Sequence, residues 1–186
     1  MFKKNKLIVP YVSNNLLYET IFRAKFQTRS INCQDSGLES LLLDDNDFSG
    51  SISLSLQNCS MLKFIDFGNN KLSHTLPSWI WKMQYLMVLH LRPNESKGVI
   101  TQKICQLSSL IVLDIANNSL LGTIPNSLDE MQTMSGKDDF VANPSYGFSF
   151  NYNNFKESLV LVPKGDELEY RDNLILVRTI DLSSNK

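Results

Sequence analysis

The chain has 186 residues, of which 42% are hydrophobic, and a formal net charge of -1. This is the composition of an ordinary globular protein with enough apolar residues for one substantial core. A charge so close to zero argues against nucleic acid as a partner, because nucleic-acid-binding surfaces are basic. No run of the sequence reaches the roughly 18 apolar residues needed to cross a bilayer.

The sequence of the first 37 residues predicts an irregular N-terminal segment. The start, MFKKNKLIVPYVSNN, has lysines and a short apolar run, but Pro10 and Asn14 interrupt that run. It makes a poor signal peptide, so the chain taken alone is expected to be neither secreted nor membrane-anchored. Residues 7–21 are a degenerate copy of the repeat described next, and residues 22–37 are an irregular segment with helical character at its start.

Four successive segments share one register with a period of 24 residues. The clearest is LIVLDIANNSLLGTIP at Leu110–Pro125, and the earlier copies begin at Leu38, Leu62 and Leu86. A fixed period of this length is the sequence signature of a solenoid, and the spacing of leucine and asparagine is that of a leucine-rich repeat.

The repeat has a direct physical interpretation. In L-x-x-L-x-L the last two apolar residues are two apart, as one face of a short strand requires. No coil can bury its apolar face alone, so the strands are expected to stack in parallel at roughly 4.8 Å on the concave side, with an irregular or 3-10 convex side. The asparagine after each strand is expected to bond the backbone of its own and the neighbouring coil. This predicted ladder is Asn46, Asn70, Asn94, Asn118 and Asn185.

The register is lost after Leu128 and returns at Val177. Asn118 and Asn185 are 67 residues apart, 43 more than one period. The sequence therefore predicts four regular repeats over 38–133, an insertion over 134–176 and the start of a further, truncated repeat over 177–186. Within the insertion, SLVLV and ELEY flank the turn sequence PKGD, which predicts a β-hairpin. The aromatic residues of the insertion favour packing against the solenoid.

These motifs resemble the ectodomains of plant leucine-rich-repeat receptor-like proteins, in particular the group of the ethylene-inducing xylanase receptors and the Cf-type resistance proteins. The repeat at Leu110–Pro125 has the plant extracellular pattern L-x-x-L-x-L-x-x-N-x-L-x-G-x-I-P. The tail SLVLVPKGDELEYRDNLILVRTIDLSSNK is similar to the end of the island domain that interrupts the repeats of these receptors. Lys164 and Tyr170 match the K-x5-Y pattern of that island.

The resemblance implies a cell-surface immune or developmental receptor without a kinase of its own. Such proteins bind an extracellular protein or peptide through the concave face and the island. They signal through a partner receptor kinase and a somatic-embryogenesis-type co-receptor kinase. The implied location of the full-length parent is the extracellular side of the plasma membrane, and the chain, which begins and ends within the repeat pattern, is expected to be a piece of a larger protein or of a truncated gene product.

Residues between the core positions of each strand are expected to face the concave side. Those singled out as ligand or partner contacts are Phe64, Asp66, Val88, His90, Arg92, Val112 and Asp114, with Lys164 and Tyr170 from the insertion. The competing interpretation is that the aspartates are repeat filler that keeps the sheet hydrated, that the two histidines are ordinary surface residues, and that Lys164 and Tyr170 only fix the island to the solenoid.

The sequence offers few candidates for modification, metal-binding or catalytic sites. The glycosylation sequons that remain accessible are expected at Asn58 and Asn117, whereas Asn94 belongs to the buried ladder. The cysteines are expected to be small buried residues, and a bridge between Cys33 and Cys59, in neighbouring coils, is left open. No cofactor, metal site or catalytic constellation is predicted, so the chain is expected not to be an enzyme.

Two alternatives to a receptor fragment remain at this stage. One is an inhibitor of a microbial wall-degrading enzyme, similar to the plant polygalacturonase-inhibiting proteins, which however keep an unbroken repeat array. The other is a truncated product without independent function. The insertion favours the receptor interpretation.

Overall fold

A computed structural model describes residues 38–128, 131–135, 159–162, 166–170 and 177–186. One parallel sheet of five short strands runs through all coils: β1 (Ser40–Leu42), β3 (Phe64–Asp66), β5 (Val88–His90), β7 (Val112–Asp114) and β11 (Thr179–Asp181). The strands pair residue for residue at one period, so that Leu41, Ile65, Leu89 and Leu113 stand side by side. The predicted parallel stack is confirmed.

The period-two alternation determines which residues enter the core. In β3, Ile65 is fully buried and Phe67 follows it two positions later at the same depth; Leu89 and Leu91 repeat this in β5. These side chains form one continuous apolar cluster along the solenoid with the first leucine of each repeat. Burial of this kind stabilises by about 1.5–3 kcal/mol for each large aliphatic side chain, which is why no single coil folds alone.

The return side of each coil is built from short pieces. Two small parallel sheets pair β2 (Ser49–Gly50) with β4 (Lys71–Leu72) and β6 (Lys97–Val99) with β8 (Ser119–Leu121). Three 3-10 helices, η1 (Leu54–Asn58), η2 (Ile80–Lys82) and η3 (Gln102–Gln106), then lead to the next strand. These confirm the predicted 3-10 character of the convex side. In the described part of the chain, no helix is both long and apolar enough to cross a membrane.

The fourth coil continues beyond β8 to Met131, which lies in the core, and the parallel sheet is next extended by β11. A short α-helix, Gln132–Ser135, follows the fourth coil across the predicted boundary of the insertion at residue 134. The predicted hairpin is confirmed as an antiparallel pair of β9 (Leu159–Leu161) and β10 (Leu168–Tyr170). Strand β11 then pairs directly with β7, Ile180 beside Leu113, as if no residues intervened. The sheet therefore keeps its register between β7 and β11, although the insertion separates these strands in the sequence.

The asparagine ladder is confirmed in detail. The Asn70 Nδ2 atom lies 3.0 Å from the carbonyl oxygen of Phe67 in its own coil and 2.9 Å from that of Leu43 in the coil before. Its Oδ1 atom accepts a bond of 2.9 Å from the amide of Phe48. Asn94, Asn118 and Asn185 repeat the arrangement, and Asn185 restores it across the insertion by bonding the Ile115 carbonyl. Asn46 bonds its own coil through the carbonyl oxygens of residues 43 and 44.

The turn out of each strand requires a left-handed residue. Asp45, Asn69, Asn117 and Ser184 occupy equivalent positions and all have φ near +50°. Asparagine and aspartate tolerate this region better than most side chains, which explains their presence. Coil three has Pro93 at this position, whose ring excludes a positive φ, and the Arg92–Pro93 peptide bond is cis. Asn94 nevertheless reaches its place in the ladder.

The cysteines take two different states. Cys59 is buried, as expected, and it is disulfide-bonded, which agrees with the bridge that the sequence left open for this position. Cys33, which the sequence offered as its partner, lies outside the described residues, as do residues 7–37 generally. Cys105 is a half-buried free thiol that accepts a hydrogen bond of 3.4 Å from Ser127 Oγ.

Replacement of Asn118 by alanine should lower the free energy of unfolding by about 2–4 kcal/mol, because three buried carbonyl oxygens and the Ser96 amide each lose a hydrogen bond. Urea denaturation followed by circular dichroism measures this change. The exposed Asn126 is the matched control, and Asn126→Ala should change stability by less than about 0.5 kcal/mol. Equal effects of the two substitutions would contradict a stabilising role of the ladder.

Candidate functional site: the concave face and its hairpin

The first column of the concave face is covered by the insertion. Phe64, Val88 and Val112 stand side by side in β3, β5 and β7, where the sequence predicted exposed ligand contacts. All three are buried, in one apolar cluster with Leu159 and Leu161 of β9. The expectation that these side chains are exposed is therefore not met, because the hairpin supplies the apolar surface that covers them, and their contact with a ligand stays a prediction.

The second column is a buried row of charged side chains. Asp66, His90, Asp114 and Asp181 pair in register across four neighbouring strands. Asp66, His90 and Asp114 are 5%, 8% and 1% exposed, so the expectation of a hydrated filler column and of a surface histidine is wrong for these residues. Buried charges need partners, and the column provides them internally. We call Asp66, His90, Asp114, Asp181 and the adjacent Arg92 the charged ladder.

Hydrogen bonds and one longer ion pair join the members of the charged ladder in sequence. His90 Nδ1 lies 2.7 Å from Asp66 Oδ1, and His90 Nε2 lies 3.8 Å from Asp114 Oδ2. Arg92 Nη1 lies 3.5 Å from the same Asp114 oxygen and 2.5 Å from Asp181 Oδ2. Arg92 therefore reaches over β7 and ties coil three to the strand that follows the insertion.

The carboxylates also hold the turns at the ends of their strands. Asp66, Asp114 and Asp181 each accept a bond from the backbone amide two residues on, at Gly68, Ala116 and Ser183. A carboxylate that bonds the amide two residues on forms an Asx turn, which directs the backbone away from the extended strand. The aspartates thus end the strands and carry the charge of the ladder at the same time.

The surroundings shift the pKa values of three ladder members. Burial acts to lower the pKa of His90, but the Asp66 carboxylate, and then Asp114 and Asp44, outweigh it and the net pKa is raised above 6.5. Burial raises the pKa of Asp114 although His90, the Ala116 amide and Arg92 oppose this. Partial burial acts to raise the pKa of Asp181 as well, but bonds from Ser183 and Arg92 prevail and lower it.

A glycine makes room for the histidine ring. A Cβ atom placed on Gly68 would lie 2.6 Å from His90 Cε1 and 2.7 Å from the carbonyl oxygen of Arg92. No side chain fits at these distances, so only glycine lets the imidazole fold back over β3 towards Asp66. The equivalent residue of coil four is Ala116, over which no such ring is placed.

The other residues that the sequence predicted as sites lie outside the charged ladder and the first column. Tyr170 is half-buried at the edge of the apolar cluster under the hairpin, and Lys164 lies outside the described residues. Asn58 and Asn117 are exposed, whereas the side chain of Asn94 is buried in the ladder. Sequence reasoning missed Leu159, Leu161 and Gly68. The alternation in SLVLV was a signal for a strand with one buried face, but it did not indicate what that face would cover.

The ladder contains carboxylates, one imidazole and one guanidinium, all engaged with one another. Among the described residues, no three histidine, cysteine, aspartate or glutamate side chains are grouped to hold a metal ion. The arrangement offers a rigid, internally paired surface beside an apolar hairpin.

Comparison with known proteins supports the fold. The Leucine Rich Repeat family model matches residues 37–59, 61–83 and 109–131. The matched ranges omit coil three, where Arg92 and Pro93 replace the usual turn residues. A comparison with curated protein sequences gives no significant match.

Solved structures place the fold among plant receptor ectodomains. The Arabidopsis receptor kinase HAESA, solved with the peptide hormone IDA and the co-receptor SERK1, is 34% identical with a TM-score of 0.51, over 57% of this chain and 18% of that one. A chain of the Arabidopsis thaliana BIR3–SERK2 complex is 27% identical with a TM-score of 0.50, over 67% and 70%. The ectodomain of GASSHO1/SCHENGEN3 from Arabidopsis thaliana, in complex with CASPARIAN STRIP INTEGRITY FACTOR 2, is 34% identical with a TM-score of 0.49.

The fold is thus a leucine-rich-repeat solenoid that matches plant receptor ectodomains. The chain spans 11% of the GASSHO1 chain and 18% of the HAESA chain, so it corresponds to a small part of the large ectodomains.

Replacement of Gly68 by alanine should lower the free energy of unfolding by about 1–3 kcal/mol, because the new methyl group meets the His90 ring and a backbone carbonyl that cannot both move away. Chemical denaturation of the purified variant measures the loss. The reverse change in the same column, Ala116→Gly, is the control and should cost about 0.5–1 kcal/mol through chain flexibility alone. A Gly68→Ala variant as stable as the wild type would contradict the described position of the ring.

Proposed function

We propose that the chain is the ligand-binding segment of a plant cell-surface receptor-like protein, and that residues 134–176 form its island domain. The observation that carries this proposal is the return of β11 to its place beside β7 while β9 of the insertion packs on the concave face. The described part of the insertion, its hairpin, packs over the concave side of a sheet that stays in register, and long loops on rigid scaffolds usually carry function.

The proposed binding surface differs from the exposed concave face that the repeat pattern alone predicts. Because the first concave column is covered, the accessible part consists of the hairpin and the rim of the charged ladder. Val160 and Leu168 are 46% and 47% exposed on the hairpin, and Tyr170 lies between the hairpin and the solenoid. Arg92 is half-buried at the rim. Exposed apolar side chains next to fixed charges are suited to a protein or peptide ligand.

The proposed partners come from the comparison. HAESA is described in complex with a peptide hormone and SERK1, and BIR3 in complex with SERK2. By analogy, the parent of this chain binds an extracellular peptide or protein and assembles with a somatic-embryogenesis-type co-receptor kinase and a partner receptor kinase. The more specific assignment to the xylanase-receptor and Cf-type group rests on the K-x5-Y pattern of Lys164 and Tyr170.

The proposed location is the extracellular side of the plasma membrane for the full-length parent. The disulfide at Cys59 supports it, because structural disulfides persist in oxidising compartments and are rare in the reducing cytosol.

The test is complex formation with a co-receptor. The chain, expressed through the secretory pathway, is immobilised, and binding of the purified SERK1 and SERK2 ectodomains is measured by surface plasmon resonance with and without fractionated plant extracellular fluid. We expect fluid-dependent binding. Leu161→Asp should weaken it about tenfold, the effect of losing roughly 1.4 kcal/mol, because a buried carboxylate detaches the hairpin from the concave face.

Leu54→Asp is the matched control, since it makes the same change at an exposed leucine of η1 on the convex side. A folded Leu161→Asp variant that binds like the wild type would overturn the role of the hairpin. Binding of neither ectodomain under any condition would overturn the receptor proposal. Inhibition of a microbial polygalacturonase by the chain would instead favour the inhibitor alternative.

We also propose Asn58 and Asn117 as glycan acceptors. Both are exposed and begin N-x-S sequences, whereas the third such asparagine, Asn94, bonds backbone carbonyls in the ladder. Peptide mapping after expression in plant cells should find glycan on Asn58 and Asn117 and none on Asn94. Glycan on Asn94 would contradict the ladder, and two bare asparagines at 58 and 117 would contradict the proposed modification.

A further inference from the structure

The charged ladder contains more carboxylates than permanent cations. Asp66, Asp114 and Asp181 lie on three different strands, and among the described residues Arg92 is the permanent cation within reach of two of them. The imidazole of His90 lies between Asp66 and Asp114. The protonation state of the His90 ring therefore determines whether Arg92 is needed as the cation for one carboxylate or for two.

We propose that His90 is a proton-operated clasp for the strand that follows the insertion. When both ring nitrogens carry a proton, the charged His90 ring pairs with Asp66 and Asp114. Arg92 is then free of Asp114 and pairs with Asp181. When Nε2 loses its proton, Asp114 has no cation on that side and draws Arg92 away from Asp181. The tie between coil three and β11 then weakens.

The distances fit this exchange. Arg92 Nη1 already lies 3.5 Å from Asp114 Oδ2 while it bonds Asp181 Oδ2 at 2.5 Å. A small movement of the guanidinium therefore changes its principal partner. The Asp66 bond is compatible with both protonation states, because the neutral ring can keep its proton on Nδ1. The proton that is lost is the one facing Asp114.

The groups around His90 can be named strand by strand. Asp44 follows β1, Asp66 ends β3, Asp114 ends β7, and Arg92 and the ring itself belong to the β5 coil. On the β3 side, the ring rests on the backbone of Gly68. Three of these neighbours are carboxylates that favour the charged ring, and Arg92 is the cation that opposes it.

The direction of the pH effect follows from these charges. The pKa of His90 in the folded protein lies above its ordinary value of 6.5. The stabilisation by the charged ring is therefore fully present below pH 6.5 and is lost as the pH rises through the folded value. The clasp is closed in acid and loosens towards alkaline pH.

Two backbone amides report on the clasp. The amides of Ile115 and Asn117 donate to the carbonyl oxygens of Asp181 and Ser183, each at 3.0 Å, and so join β7 to the coil after the insertion. The amides of Leu43 and Asp45 make the equivalent bonds between the first two coils and serve as references. Hydrogen exchange of the whole chain, corrected for the intrinsic pH dependence, compares the two pairs.

Between about pH 5 and about pH 8, we expect the protection of Ile115 and Asn117 to fall roughly tenfold, the effect of losing one hydrogen bond to a charged group, while Leu43 and Asp45 change little. The midpoint should coincide with the titration of the His90 ring followed by nuclear magnetic resonance. Protection that does not depend on pH, or a midpoint unrelated to that of the ring, would overturn the proposal without any variant being made.

Variants separate the clasp from a general effect of pH. His90→Gln should give low protection of Ile115 and Asn117 at every pH. Asp181→Asn should remove the pH dependence by taking away the second partner of Arg92. The control is His74→Gln, which removes the other histidine at an exposed site and should leave the wild-type profile unchanged. A His90→Gln protein that keeps the pH dependence would assign it to another group and overturn the proposal.

Discussion

Each coil of this protein depends on its neighbour for the completion of its backbone hydrogen bonds. The Asn70 side chain bonds carbonyl oxygens of its own coil and of the coil before, and it accepts the amide of Phe48. Without it, the Phe48 amide and the carbonyl oxygens of Leu43, Phe67 and Gly68 would each lose a hydrogen bond, at about 0.5–1.5 kcal/mol for each. The apolar cluster has the same dependence, since each leucine row is closed by the next one. Stability is therefore a property of the stack.

This constraint decides where an insertion can be tolerated. The chain may leave the solenoid only if it returns with a strand in register and an asparagine at the ladder position. Both conditions are met: Ile180 pairs with Leu113, and Asn185 bonds the Ile115 carbonyl and accepts the amide of Leu120. Arg92 adds a third link by contacting Asp181 across β7. Loop-closure entropy grows slowly with length, so a long detour costs little once these links are made.

Sequence reasoning recovered what local periodicity encodes. Two-residue alternation placed the strands, the repeated asparagine placed the ladder, and the turn sequence after SLVLV placed the hairpin. It failed where the outcome depends on distant parts of the chain. The spacing of Phe64, Val88 and Val112 shows that they share a column, but their cover comes from Leu159, about 50 residues beyond the last of them. The burial of His90 likewise depends on the absence of a side chain at Gly68, one coil earlier.

The charged ladder and the hairpin divide the concave face between them. A buried ion pair adds little net stability over apolar packing, but the loss of one partner leaves an uncompensated charge and is costly. Such a row therefore favours one register of the strands more than it strengthens the fold. Beside this row, the apolar column of Phe64, Val88 and Val112 provides the surface against which the hairpin packs. The concave side is therefore a surface made jointly by the insertion and the solenoid, in which Leu161 packs the hairpin against the sheet and Arg92 contacts the strand that follows it. The same few side chains thus fix both the hairpin and the geometry of the interrupted sheet.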